Sequence, residues 1–201
     1  MAGGSHQFAP GPATANGGVL NASRRERPRS AGIGDCLAVI EFTKGNLLDA
    51  DVEALVNAVN TVGVMGKGIA LQFKHTFPEN FTAYAEACMQ GEVTIGRMFV
   101  TKAVRAEGPG WIVNFPTKKD WRDPSKVEYV AAGLTDLTRV VERRKIRSIA
   151  LPPLGCGLGG LDWGVVRPLI EAAFAGLASV RAVVFEPTDI RRVPSAGGLR
   201  S

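Results

Sequence analysis

Apolar and polar positions follow two rhythms along this chain. Short apolar runs at 37–42, 54–59, 111–115, 148–151 and 181–186 read as strands, and 97–104 is strand-like. The run at 54–59 is apolar enough to be buried on both faces. Between these runs the apolar spacing changes to three and four. Residues 69–90 predict two helical pieces parted at Pro78, with Gly91 as a C-terminal stop. Ser125 and Glu128 have the spacing of a capping box. The helix after them sets Val127, Val130, Ala131, Leu134, Leu137 and Val141 on one face. Asp162 is placed to cap a last helix, in which Val166, Leu169, Ile170, Ala173, Phe174 and Leu177 recur at helical spacing. This alternation predicts an α/β fold: a sheet, at least partly parallel, with helices on both faces.

The rhythm fails at both ends. Residues 1–35 carry Gly, Pro, Ala, Ser and Arg without apolar periodicity and read as a disordered arm. Residues 36–187 form the expected domain, and 188–201 read as a flexible tail. No apolar run approaches the ~20 residues that cross a bilayer, and the N-terminus lacks an apolar signal core. Three cysteines (Cys36, Cys88, Cys156) argue against a disulfide framework and for a reducing cytoplasm. No Cys/His cluster has metal-ligand spacing. With only His6 and His75 present, a histidine-dependent triad has little support. The net charge of +5 fits a polyanionic partner, nucleic acid included, and equally fits ordinary solubility. Part of it lies in the arm, at Arg24, Arg25, Arg27 and Arg29.

Chemistry concentrates where three apolar runs end. After 54–59 come Asn60 and a glycine-rich turn with Gly63, Gly66 and Gly68, then a helix. Ligands of open α/β sheets bind beyond the carboxyl ends of strands, where glycines let backbone N–H groups reach phosphate oxygens. Gly66-Lys67-Gly68 lacks the spacing of a P-loop, which disfavours a nucleotide triphosphatase. A second loop carries Gly155, Gly157 and Gly160 at dinucleotide-fingerprint spacing. A nicotinamide site with Glu186 on the ribose is therefore a rival reading. Against it, the unit closes the chain, and Pro152 and Pro153 break the strand-to-turn geometry. Two loops at separate strand ends suit a diphosphate held from both sides. Cys156 has no visible base and reads as a small packing residue.

The third segment, 111–122, ends a strand at Pro116 and continues through Lys118, Lys119, Trp121 and Arg122. A lysine at a binding edge has three readings: a nucleophilic amine, a cation that stabilises a departing anion, or part of a solvated basic cluster. Trp121 suits base stacking or simple cover of apolar surface.

Together, Gly-Asn-Leu-Leu at 45–48, Val-Asn-Ala-Val-Asn at 56–60, the loop 63–68 and the loop 155–160 resemble the macro-domain family. Residues 60–74, 114–119 and 159–163 are similar to its DarG-like branch of DNA ADP-ribosyl glycohydrolases, antitoxins to DarT-like toxins. The resemblance implies a three-layer α/β/α fold with a central mixed sheet and ADP-ribose in a cleft at the strand ends. It implies ligand contacts from Asn46, Leu47, Asn57, Gly66, Lys67, Gly68, Ile69, Thr117, Gly155, Cys156, Gly157, Leu158 and Gly159. Asn46 stands where most members hold the adenine amino group with Asp; an amide oxygen still accepts, without charge. Asn60 would orient the distal ribose, and Lys118 would promote departure of the base. Lys119, Trp121 and Arg122 would contact DNA. Gly159 occupies the place of an Asp that pairs with lysine in some relatives, and Asp120 is expected to hold the Lys118 amine protonated.

The implied activity is hydrolytic release of ADP-ribose from a nucleobase, thymine by resemblance, in single-stranded DNA, with no metal and no cofactor. The alternatives are a non-catalytic ADP-ribose reader and a hydrolase of ADP-ribosylated protein or O-acetyl-ADP-ribose. The implied partners are ADP-ribosylated DNA and a DarT-like ADP-ribosyltransferase toxin. Toxin neutralisation by a further binding domain is not expected of these residues.

Overall fold

The structure, a computed structural model, describes residues 39–104 and 108–188. The expected arm and, apart from Thr188, the expected tail lie outside the described residues. The elements in chain order are β1 (Val39–Thr43), a 3-10 turn (Leu47–Asp49), β2 (Ala54–Val59), α1 (Gly68–Thr76), α2 (Pro78–Met89), β3 (Phe99–Lys102), β4 (Trp111–Pro116), α3 (Val127–Arg144), β5 (Ser148–Leu151), α4 (Trp163–Phe174) and β6 (Arg181–Phe185). The strand order is β1-β6-β5-β2-β4-β3. Every neighbouring pair is parallel except β3 with β4. The sheet is therefore mixed, and the carboxyl ends of five strands share one edge.

Side chains of alternate residues pass to opposite faces of a strand. Along β2, Ala54 and Val56 join Val130, Leu134, Leu137, Val166, Ile170 and Phe174 of α3 and α4. Leu55 faces the other way, toward Phe73 and Phe77 beside α1. Val59 meets Met65, Tyr84 and Ala87 beside α2. Helices thus cover both faces in a three-layer α/β/α arrangement. Each fully buried aliphatic or aromatic side chain in these layers contributes about 1.5–3 kcal/mol relative to exposure. α3 lies so close to the sheet that a Cβ on Gly133 would come within 2.3 Å of the Phe115 ring. Among the described residues no helix is long and apolar enough to cross a membrane.

Two local expectations need correction. Ser125 does not cap α3: Lys126 takes the N-cap position with no side-chain hydrogen bond. The Ser125 hydroxyl is buried and unpartnered, and its N–H donates to the Gly159 carbonyl at 2.9 Å. Contact with the second glycine loop has displaced the local cap. α4 ends at Phe174, so Leu177 is buried in the following turn instead of the helix. The Asp162 cap does form, its carboxylate accepting from Gly164 N at 2.7 Å.

Candidate functional site

β5, β2 and β4 are adjacent in the sheet, so the loops that leave their carboxyl ends are neighbours. These are the second glycine loop, the first glycine loop and the lysine segment, and hydrogen bonds tie them together. Thr61 donates to the Lys119 carbonyl from its N–H at 3.0 Å and its hydroxyl at 2.9 Å. Thr117 N–H donates to Val59 O at 2.9 Å, and its hydroxyl to the same oxygen at 3.4 Å. The Lys118 ammonium donates to the Leu158 carbonyl at 3.1 Å. Lys118 is only 9% exposed and is the one charged side chain buried among the described residues. No carboxylate pairs with it among those residues.

The first loop is organised by Asn60. Its Oδ1 accepts from Val62 N at 3.0 Å and Val64 N at 3.2 Å, and its Nδ2 donates to Val64 O at 2.6 Å. The buried Tyr84 hydroxyl donates to Asn60 O at 2.8 Å and lies 3.1 Å from Asn60 Oδ1. Burial pushes the Tyr84 hydroxyl above its ordinary range, so it stays a donor. The Asn60 side chain is thus largely committed to shaping the loop, with one N–H left over. Beyond it, α1 begins at Gly68 with φ +60°, and its N-cap Lys67 makes no side-chain cap. The first N–H groups of that helix have no intrahelical acceptor, and Lys67 beside them is exposed. Ile69 is half-buried against the core beside Leu47.

The second loop needs glycine for close packing. A Cβ at Gly159 would come within 2.3 Å of Gly155 O and of Ser125 Oγ. An Asp at this position therefore does not fit the backbone as it stands. A Cβ at Gly157 would meet nothing within 4 Å, leaving open space above the loop. The Leu158 side chain reaches across to the first loop, 3.4 Å from a Cβ placed at Gly68. Burial first, then the Asp162 charge, pushes the Cys156 thiol up to about 12. Cys156 is thus a protonated packing residue at neutral pH.

Other expected residues fall elsewhere. Asn57 is fully buried, and its Nδ2 donates to Asn114 Oδ1 at 3.1 Å and to Met65 Sδ at 3.8 Å. It faces α2, inside a network completed by Asn80 and Thr101, and meets the first loop at the buried Met65. Leu47 is core. Asn46 follows β1, three strand positions from β2, and its Oδ1 accepts from Leu48 N at 3.2 Å. Asp120 does not engage Lys118. It pairs with Arg122, Nε to Oδ1 at 2.9 Å and Nη2 to Oδ2 at 2.9 Å. Those hydrogen bonds hold the Asp120 carboxyl down at about 2. Arg122 also sits 5.5 Å from the exposed Trp121 ring. Lys119 is exposed.

Sequence reasoning missed Tyr84, Ser125 and the Asn80–Asn114 pair. A polar residue inside an apolar run, as at Asn114, was the available signal. Two surface hollows lie away from the glycine loops. One, lined by Glu53, Gly110, Trp111 and Ser148, is at the opposite edge of the sheet. The other lies under β1 and reaches Asn46. The buried amine and the open backbone N–H groups mark the site better than concavity, because they carry the chemistry. Among the described residues no group of His, Cys, Asp and Glu is placed to hold a metal.

A mixed sheet, with two glycine loops and a buried lysine meeting at the carboxyl ends of adjacent parallel strands, defines a three-layer α/β domain. The family model of the Macro domain matches residues 56–170, and the chain belongs to that family. It is 55% identical over 163 residues to a DNA ADP-ribosyl glycohydrolase of Mycobacterium tuberculosis, covering 81% of this chain and 46% of that protein. It is 34% identical over 146 residues to a DNA ADP-ribosyl transferase-DNA ADP-ribosyl glycohydrolase fusion protein of Thermosipho africanus, covering 65% of this chain and 38% of that protein. The solved macrodomain of Mycobacterium tuberculosis DarG superposes with TM-score 0.74 at 57% identity, covering 75% of this chain and 99% of that one. The chain spans less than half the length of the two curated relatives.

Proposed function

We propose that this chain is an ADP-ribosyl glycohydrolase that frees ADP-ribose from a nucleobase of single-stranded DNA, with thymine the expected base. The observation that carries the reading is the Lys118 amine, buried at the junction of both glycine loops with a single protein acceptor. The strand order supports the fit. From β1 to β4 the sheet spans four inter-strand gaps, about 19 Å. Along that span stand Asn46 for adenine, the loops after β5 and β2 for the diphosphate, and Asn60 and Lys118 for the distal ribose. Open N–H groups at the start of α1, with Lys67 beside them, suit phosphate oxygens. Among the contacts implied earlier, Asn57 and Leu47 act from the core, and Asn60 acts chiefly by setting the loop.

In the reaction the bond between the anomeric carbon and the base nitrogen breaks. Water supplies its hydroxyl to that carbon, and a proton passes to the base. Lys118 stabilises the leaving base and delivers the proton, and the proton released by the attacking water returns to the amine, a contribution of about 10²–10⁴ in rate. Diphosphate binding, remote from the breaking bond, fixes the geometry. Neither metal nor cofactor takes part. A DarT-like transferase is the proposed source of the modified DNA and a partner of the intact system.

The crowding at Gly159, which leaves no room for an Asp, favours a second reading as a reader that binds ADP-ribose without hydrolysis. One experiment separates them. The protein and Lys118→Ala are incubated with an ADP-ribosylated DNA oligonucleotide, ADP-ribosylated protein and O-acetyl-ADP-ribose, and free ADP-ribose is measured. Release from DNA that is lost in the variant supports the proposal. Tight ADP-ribose binding with no release makes the chain a reader, and release only from the other substrates moves the specificity.

A further inference from the structure

We propose that the β3 edge of the sheet is a track for the phosphodiester backbone of a single nucleic-acid strand, leading from the lysine loop to an anchor at Trp111 on the opposite edge. The inference rests on DNA being the substrate. β3 is an edge strand beside β4, and its register sets Phe99 against Asn114 and Lys102 against Trp111. Arg97, just before β3, therefore lies toward the cleft end, and Lys102 lies at the far end; both are exposed. At that far end the Trp111 ring is half-buried, with the Arg144 guanidinium 4.3 Å and the Lys102 ammonium 5.8 Å from its centre. Arg143, next to Arg144 at the end of α3, and Arg147, just before β5, are also exposed.

None of these cations forms an ion pair among the described residues. Of the carboxylates nearby, Glu53 Oε2 accepts from Arg147 N at 2.7 Å and Asp136 from Met98 N at 2.7 Å, while Asp51 lines the same hollow as Trp111. Arg144 lies over the indole with its Nε enclosed, and its terminal guanidinium nitrogens form no side-chain hydrogen bond among the described residues. A guanidinium held over a ring with idle N–H groups is preorganised for a phosphate oxygen. Favourable placement at the C-terminus of α3 accounts for Arg143 and Arg144. It does not account for Lys102, Arg97 or the shared indole. Cations interleaved with an aromatic face suit a polynucleotide better than an acidic peptide.

The length requirement follows from geometry. Trp111 to Pro116 covers about 17 Å of strand, equal to about five stacked nucleotides. A substrate shorter than that cannot reach the anchor. The test compares kcat/KM for ADP-ribose release from a single-stranded oligonucleotide of about 20 nucleotides with one of about four. It uses the whole chain and the variant Lys102→Glu/Arg143→Glu, with folding checked by circular dichroism. Salt titration of unmodified-oligonucleotide binding, by fluorescence anisotropy, runs alongside.

The long substrate is expected to be favoured several-fold, and that ratio to fall toward one in the variant. Loss of two phosphate contacts flattens the slope of log affinity against log salt by about 1.4, or about sevenfold in affinity over a fourfold change of salt. A wild-type ratio of one, or a salt slope unchanged in the variant, overturns the track while leaving the hydrolase reading intact. If neither DNA length releases ADP-ribose, the hydrolase reading fails instead, and the salt slope alone decides the track.

Discussion

Two glycines two residues apart in the second loop should respond to alanine in opposite ways. At Gly159 the added methyl would lie 2.3 Å from Gly155 O and 2.3 Å from Ser125 Oγ. Relief requires the 155 carbonyl to move, and that carbonyl accepts from Leu161 N at 3.0 Å. Overpacking costs about 1–3 kcal/mol, and a weakened backbone hydrogen bond adds about 1 kcal/mol. Gly159→Ala should therefore lose about 2–4 kcal/mol, and at about 2–4 °C per kcal/mol its Tm should fall by roughly 5–15 °C. At Gly157 the methyl meets nothing within 4 Å, and φ is not in the left-handed region. Gly157→Ala should leave stability within about 0.5 kcal/mol. The same methyl projects into the space assigned to the diphosphate, so ADP-ribose affinity should fall at least tenfold. Thermal unfolding by circular dichroism and calorimetric titration with ADP-ribose read the two effects separately. An unchanged Tm in Gly159→Ala would refute the packing argument. Full ADP-ribose affinity in Gly157→Ala would remove the second loop from the ligand site.

Tyr84→Phe deletes a buried donor to Asn60; a loss of about 1–2 kcal/mol is expected, together with weaker ADP-ribose binding, by the same two assays. Wild-type affinity would show that the first loop holds its shape without the hydroxyl. Asp120, ordinarily titrating near 3.8, is held at about 2 by Arg122, so the ion pair is intact above pH 4 and is lost as pH falls through about 2. A carboxyl resonance that titrates at the ordinary value contradicts the pairing. Asp120→Asn should free Arg122 and tighten single-stranded DNA binding at low salt. With the Cys156 thiol up at about 12, alkylation at pH 8 should leave its peptide largely unmodified, as mass spectrometry reads. Cys156→Ala should retain ADP-ribose release, and loss of release would reinstate the thiol in the chemistry.

The strands and helices were legible because burial imposes periods of two and of 3.6 on the sequence. β2 at 54–59 falls where its unbroken apolar run placed it, since a central parallel strand is covered on both faces. Pro78 divides the helical stretch as expected because it opens α2, where its missing N–H costs nothing. What stayed hidden depends on contacts distant in the chain. The Ser125 cap failed because Gly159, 34 residues on, packs against it. Asp120 had three basic neighbours within two positions, and only the turn geometry selects Arg122 over Lys118 and Lys119. Asn57 and Asn60 look alike in sequence. Strand alternation sends the first inward to Asn114, while the second, just past the strand end, curls into its own loop.

That last contrast bears on how the site works. A ligand with two phosphates needs many donors at fixed positions, and backbone N–H groups supply them at no cost in side-chain entropy, provided the loops are rigid. Rigidity here comes from polar side chains that hydrogen-bond the backbone of the loops themselves. Asn60 spends its amide on Val62 and Val64, Tyr84 braces Asn60, and Thr61 ties the loop to Lys119. The second loop is braced by crowding at Gly159 and by the Lys118–Leu158 bond. Lys118 therefore has two duties, as cross-link and as the one buried charge among the described residues. Methionine and arginine at 118 distinguish them. Either change removes the amine, but arginine keeps a donor within reach of Leu158 O. If Lys118→Arg preserves ADP-ribose affinity while Lys118→Met weakens it, and both abolish release, the cross-link and the chemistry are separate properties of one side chain. Release that survives in Lys118→Met would confine the residue to the first duty and leave the hydrolytic step without its cation.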